Sequence, residues 1–248
     1  MVERQAHVVL DLRSRQWKAV KIERLLHLAD RPGSLRILEV GTGSGGIASY
    51  FGSHSSGRFV VDAVDVVDNR QVFDGYGFTL VDGTQLPFDD ASFDVVITNH
   101  VIEHVGEREQ QLAHLAEVSR VMKSDGIGYF AVPNRWMLVE PHYGLAFLSW
   151  LPKPWRSAYL RFRGRGQFYD CEPLTLPETE TLLSQAGFTF QNQCVEAMRA
   201  TIDIEQAPWI TARAINALPD WVVKRLLAVF PTLIYRFGPG HPETEAAA

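Results

Sequence analysis

Along this chain, short runs of apolar residues alternate with stretches in which apolar positions recur every three or four residues. The second spacing comes first: residues 8–28 mix apolar side chains with Lys and Arg at helical intervals, and Asp30-Arg31-Pro32-Gly33 closes the segment. Apolar runs at 35–40, 59–66, 78–81, 93–98 and 127–132 then predict strands, with helices near 45–51 and over 107–122 between them. Strands that alternate with helices need right-handed crossovers, so the pattern predicts a doubly wound α/β fold with a mainly parallel sheet. After Pro133 the rhythm breaks. Residues 134–170 are rich in Trp, Pro, Tyr and Arg without a clean period and read as an insertion after the fifth strand. A helix over 177–185, stopped by Gly187, leads to a sixth strand over 188–195. A second insertion spans 196–231 and contains an apolar helix at 221–230, after which 232–237 supplies a seventh strand. Residues 1–240 are expected to form one domain, and 241–248 a frayed tail.

Composition narrows the class. Hydrophobic residues make up 46% of the chain and charged residues 21%, and no run of about 18 uncharged apolar residues is present to span a bilayer. The charged opening segment does not read as a secretory signal, so a cytoplasmic protein is expected. Cys171 and Cys194 are too few for a disulfide framework or a cysteine-based zinc site. The net charge of −5 argues against a nucleic-acid partner but hides a contrast. Residues 61–109 carry eleven acids against two bases, whereas 151–165 carry five bases and no acid.

Candidate chemistry begins at Ile37-Leu38-Glu39-Val40-Gly41-Thr42-Gly43-Ser44-Gly45-Gly46, a glycine-rich turn between a buried strand and a helix start. Such a turn admits a ligand close to the backbone and offers it free N–H groups. Gly41, Gly43 and Gly46 fit the dinucleotide spacing, and Asp65 stands where a carboxylate can accept bonds from both ribose hydroxyls. These features suit an NAD-linked oxidoreductase and an S-adenosylmethionine enzyme equally.

Three further segments discriminate: Val81-Asp82-Gly83-Thr84-Gln85-Leu86-Pro87-Phe88, Ser92-Phe93-Asp94-Val95-Val96 and Ile102-Glu103-His104-Val105. With the glycine turn, in this order, they resemble the class I methyltransferases, in the subgroup that includes the ubiquinone and sterol enzymes. The resemblance covers about residues 35–134. It implies a Rossmann-like, seven-stranded, mostly parallel sheet and S-adenosylmethionine as cofactor. It also implies Glu39 and the turn residues Gly41, Thr42, Gly43 and Gly45 at the methionine end, and Asp65 at the ribose. Asp82 would meet the adenine amino group within a cofactor-binding stretch that includes Gly83 and Thr84. Val66 and Leu86 would flank the ring, and Asn99 or His100 would lie beside the sulfonium. Asp62 and Asp68 read as solvated charges, and Asp94 as a cap at the start of its strand.

Methyl transfer chiefly requires alignment, and a base only where the acceptor is a weak nucleophile such as a hydroxyl. His100, His104 and His142 are the catalytic candidates, with Tyr143 as a further candidate base. His100, Glu103 and His104 are similar to the residues that hold a divalent ion in ubiquinone O-methyltransferases, but His100 stands where that pattern has a Glu, and no metal is expected. The first insertion offers Glu140, His142, Tyr143, Trp155, Arg161 and Arg163 to the acceptor. The reading is a methyltransferase acting on a small-molecule or lipid-like acceptor at oxygen, with no nucleic-acid partner and a weak contact with a membrane surface. A non-catalytic S-adenosylmethionine-binding module is the other alternative to the oxidoreductase. The arginines of 156–165 have a competing role as partners for the chain's own acids at 62–94.

Overall fold

The structure, a computed structural model, describes residues 11–205, 208, 212 and 216–240. The start of the predicted opening helix, parts of the second insertion and the predicted frayed tail lie outside the described residues.

The opening helix, α1, runs Leu12–Leu25, begun by Asp11, whose side chain accepts the Arg13 amide. It buries Ala19, Ile22 and Leu25 and packs on two helices, α2 (Gly46–Gly52) and α6 (Cys194–Ile204). The parallel strands are β1 (Leu35–Val40), β2 (Phe59–Asp65), β3 (Gly77–Leu80), β4 (Phe93–Asn99) and β5 (Met122–Pro133), with α3 (Arg108–Val121) before β5. Two later strands, β8 (Phe188–Asn192) and β9 (Thr232–Pro239), complete one seven-stranded sheet in the order β3-β2-β1-β4-β5-β9-β8. Only β9 runs against its neighbours, so this is the doubly wound, Rossmann-like sheet that the alternation predicts. The inner strands are buried almost throughout, as a parallel sheet covered on both faces requires.

Both insertions leave the sheet at the C-terminal edge of its parallel strands. The first contains a short hairpin, β6 (Val139–Glu140) with β7 (Leu145–Ala146), and a helix, α4 (Lys153–Phe162). It has a small core of its own around Tyr143, Leu145, Leu148, Leu160, Tyr169 and Cys171. The chain then enters α5 (Leu176–Gln185), whose capping box pairs Thr175 with Glu178.

Two boundaries differ from the sequence pattern. The apolar run expected to be strand as far as residue 195 turns at Gln193, because the Asn192 side chain accepts the Cys194 amide and starts α6 there. The apolar stretch 221–230 is helical over α7 (Asp220–Leu226) and continues as a 3₁₀ turn at Leu227–Val229, just before Pro231. Of its side chains Val223 is buried, whereas Trp221 and Leu226 are exposed. Among the described residues no helix is long and apolar enough to cross a membrane.

Candidate active site

The glycine turn folds as its composition demands. Gly41, Gly43 and Gly45 all have positive φ, and a Cβ on Gly41 would collide with the Val101 side chain. The Gly41 and Thr42 amides donate to the Val64 carbonyl, and the Gly43 amide donates to Asp65 Oδ2 at 2.8 Å, so the end of β2 holds the turn after β1. Glu39 lies buried beneath the turn and accepts the Ala48 amide at 3.0 Å. Burial pushes its pKa up to about 8 against the opposing pull of Arg15, which α1 places nearby.

A cavity of about 150 Å³ opens beside this turn. Of the cofactor residues implied by the sequence, Gly41, Asp65, Val66, Gly83, Thr84 and Leu86 line it. Asp82 is exposed and outside the lining, and Glu39, Thr42, Gly43, Gly45, Asn99 and His100 are not among the lining residues either. Asn99 Oδ1 and Ser44 Oγ are buried without a hydrogen-bond partner. His100 takes a left-handed backbone conformation (φ 59), held by its amide donating to the Ala131 carbonyl. Asp62 and Asp68, read as solvated charges, pair with Arg36 and Arg70, and Asp94 accepts the Arg36 amide and pairs with Lys123.

One polar lining residue escaped the sequence reading. His114 faces the cavity from α3, is 3% exposed, and its Nε2 has no hydrogen-bond partner. Its signal was present: Gln111, His114, Leu115, Val118 and Val121 share the buried stripe of α3, so two polar residues interrupt an apolar face. Burial lowers its pKa to about 4.

The first insertion closes over the end of β4, where the Glu172 amide donates to the Glu103 carbonyl. This brings the histidine candidates together. His104 lines the cavity, and the His142 ring centroid lies 5.9 Å from that of His104 and 6.4 Å from that of His100. His142 Nδ1 donates to Glu140 Oε1 across 2.6 Å, while Glu140 Oε2 accepts the Tyr143 amide at 2.8 Å. Burial acts to lower the His142 pKa, but the hydrogen bond and charge of Glu140 outweigh it and raise the pKa. His100 goes the other way, held well below the ordinary imidazole value by burial and then by Lys18 and His142. Glu103, 1% exposed, has its pKa raised to about 7 by burial.

Glu103, His104 and His142 each offer a ligand atom, all within 4.8 Å of one another, as do Glu140, His142 and Cys171. The residues able to hold a cation therefore include Glu140, His142 and Cys171, which the local spacing of His100, Glu103 and His104 does not contain. Three residues expected to serve the acceptor are not brought to this cluster: Trp155, Arg161 and Arg163 stand on the exposed side of the insertion.

Residues 38–130 match the family model described as a methyltransferase domain. They form a class I S-adenosylmethionine-dependent methyltransferase domain. The match resolves the glycine turn in favour of S-adenosylmethionine over NAD, and the residues present fit that cofactor. A Cβ-free turn at Gly41 and a carboxylate on Asp65 line one cavity, and unpartnered buried oxygens lie on Ser44, within the same glycine turn, and on Asn99, at the end of β4. The methyltransferase is 28% identical to the ubiquinone/menaquinone biosynthesis C-methyltransferase UbiE of Citrifermentans bemidjiense, over 70% of this chain and 77% of that protein. It is 32% identical to a sarcosine/dimethylglycine N-methyltransferase of Aphanothece halophytica, over 41% of this chain and 39% of the relative. Its fold matches the methyltransferase solved with the Trm112 activator of Haloferax volcanii, with a TM-score of 0.55, 18% identity and coverage of 93% and 92% of the two chains. The 1,6-didemethyltoxoflavin-N1-methyltransferase of Burkholderia thailandensis, solved with S-adenosylhomocysteine, gives a TM-score of 0.53 at 17% identity, covering 93% and 80%.

Proposed function

We propose that the enzyme methylates an oxygen of a small-molecule or lipid-like acceptor held between the end of β4 and the first insertion. The observation that carries this reading is the Glu140–His142 pair, which the insertion sets beside His104 at the border of the cofactor cavity. S-adenosylmethionine, when bound, supplies a methyl group on a sulfonium that leaves as a neutral thioether. In our reading Glu39 and the turn from Gly41 to Gly45 hold its methionine end, and Asp65 accepts from the ribose. Gly83, Thr84, Val66 and Leu86 enclose the adenine, with Asp82 at the rim, and Asn99 and His100 border the sulfonium.

His142 is the base in this scheme. The Glu140 carboxylate holds a proton on Nδ1, so Nε2 is the nitrogen whose lone pair can take the acceptor's hydroxyl proton. Burial and neighbouring cations disfavour protonation of His100, which leaves it a weaker base. His104 and Tyr143 shape the wall between the acceptor and the cofactor. The insertion excludes water from this space, and alignment of the acceptor oxygen with the methyl group supplies most of the rate enhancement.

The experiment is mass spectrometry of cell extract incubated with the protein and isotopically labelled S-adenosylmethionine. A labelled low-mass product methylated at oxygen is expected. Label confined to carbon, nitrogen or macromolecules would contradict the reading.

A further inference from the structure

Helix α4 is inside out. Its inward positions are Arg156, buried with its Nε donating to the Leu151 carbonyl and its guanidinium over Tyr169, and Leu160. Its outward face carries Trp155, Ala158 and Phe162, spaced i, i+3, i+7, with Trp155 67% and Phe162 85% exposed. Large aromatic side chains on the solvent side of a helix, opposite a buried arginine, forgo the hydrophobic stabilisation that ordinary amphipathic packing gives. Exposed apolar surface of this kind marks a place where something else docks.

The charges around this face say what docks there. Arg161, Arg163 and Arg165 are all exposed and flank the aromatics, with Phe168 exposed just beyond them. Had they been recruited to neutralise the chain's acidic stretch, ion pairs with Asp62 to Asp94 would result. Among the described residues none is formed: Arg36 pairs with Asp62, Arg70 with Asp68, Arg120 with Asp90 and Lys123 with Asp94. The bonds recorded for Arg161 and Arg163 go to neutral oxygens, the Gln167 carbonyl and the Tyr159 hydroxyl. The protein as a whole is acidic, so this local excess of cations is not a general surface property.

We propose that the outward face of α4, with the arginines at its C-terminal end, docks on an anionic lipid membrane. Trp155 and Phe162 enter the headgroup boundary, and Arg161, Arg163 and Arg165 meet lipid phosphates. Because the same insertion carries His142 and Tyr143 on its inner side, docking would present the acceptor chamber to a lipid-soluble substrate. That consequence rests on the proposed function, whereas the docking itself does not.

Cosedimentation of the full chain with phosphatidylcholine vesicles, with and without phosphatidylglycerol, tests the inference. Binding is expected only to the phosphatidylglycerol vesicles and should fall as salt rises. Replacing all three arginines (R161Q, R163Q, R165Q) should weaken the partition about a hundredfold. The double change W155S and F162S should weaken it at unchanged charge, with S-adenosylhomocysteine affinity preserved in both variants as the check on folding. No sedimentation with anionic vesicles, or equal binding to neutral ones, would overturn the inference. Self-association of the free protein that the W155S and F162S change abolishes would also overturn it, since the face would then be covered by a second copy. Vesicle binding combined with methylation of a freely water-soluble acceptor would leave the docking standing and remove only the lipid-like acceptor.

Discussion

His142 Nδ1 and Glu140 Oε1 lie 2.6 Å apart, and the second oxygen of Glu140 accepts the amide of Tyr143, so the carboxylate is fixed at both ends before it orients the imidazole. This predicts a pH profile. The active form of the base is neutral, and Glu140 holds the His142 pKa above the ordinary imidazole value of about 6.5. Turnover should therefore rise with pH through a midpoint above that value. In Glu140→Gln the largest raising influence is lost while burial and the smaller pull of Glu103 and Asp170 remain, so the midpoint should move down. A midpoint unmoved by the substitution would remove His142 from the role.

Removal of the imidazole itself gives a second expectation. His142→Gln should lower turnover about 10²- to 10⁴-fold while S-adenosylhomocysteine affinity stays close to that of the unsubstituted protein. Full activity in His142→Gln would transfer the role to His104 or to no residue.

The cation-binding geometry of Glu103, His104 and His142 bears on the same atom. A metal ion would compete for the lone pair on His142 Nε2 that the base needs. Exhaustive chelation is thus expected to leave turnover unchanged, and added Zn²⁺ to inhibit it. Loss of activity on chelation, restored by a divalent ion, would show that the cluster is a metal centre in function.

His114 predicts an acid-sensitive fold. Its pKa is lowered to about 4 in the folded protein, against about 6.5 in an unfolded chain, so between these values the unfolded state binds more protons. The associated stability is present above pH 6.5 and is lost as pH falls towards 4, to the extent of about 3 kcal/mol. Urea denaturation at pH 7 and pH 4.5 should show a smaller loss in His114→Gln than in the unsubstituted protein. Equal losses would mean that the buried ring contributes nothing to the acid response.

What could be read from the sequence follows from the range of the interactions involved. The strand-helix alternation and the glycine turn are local, and Gly41 and Asp65 lie where the pattern places them because β1 and β2 pair in register from Leu35 with Phe59 to Val40 with Val64. The meeting of His104 with His142 was not legible as a geometry. Thirty-eight residues separate them, and an aperiodic insertion decides the approach. Residues 156–165 held a similar ambiguity, since four arginines among aromatics fit either an internal or an external partner. The structure divides them, with Arg156 buried and Arg161, Arg163 and Arg165 exposed. The helix at Cys194 was missed because Val195 and its neighbours suit a strand by propensity, and the hydrogen bond from the Cys194 amide to the Asn192 side chain outweighs that preference.

Every role assigned above depends on the cofactor lying between the glycine turn and the end of β2. Titration calorimetry of S-adenosylhomocysteine into the unsubstituted protein and Asp65→Ala measures this. One site per chain is predicted, with affinity reduced about 10- to 100-fold in Asp65→Ala as the ribose loses its charged acceptor. Unchanged affinity in an Asp65→Ala protein with the circular dichroism of the unsubstituted chain would contradict it.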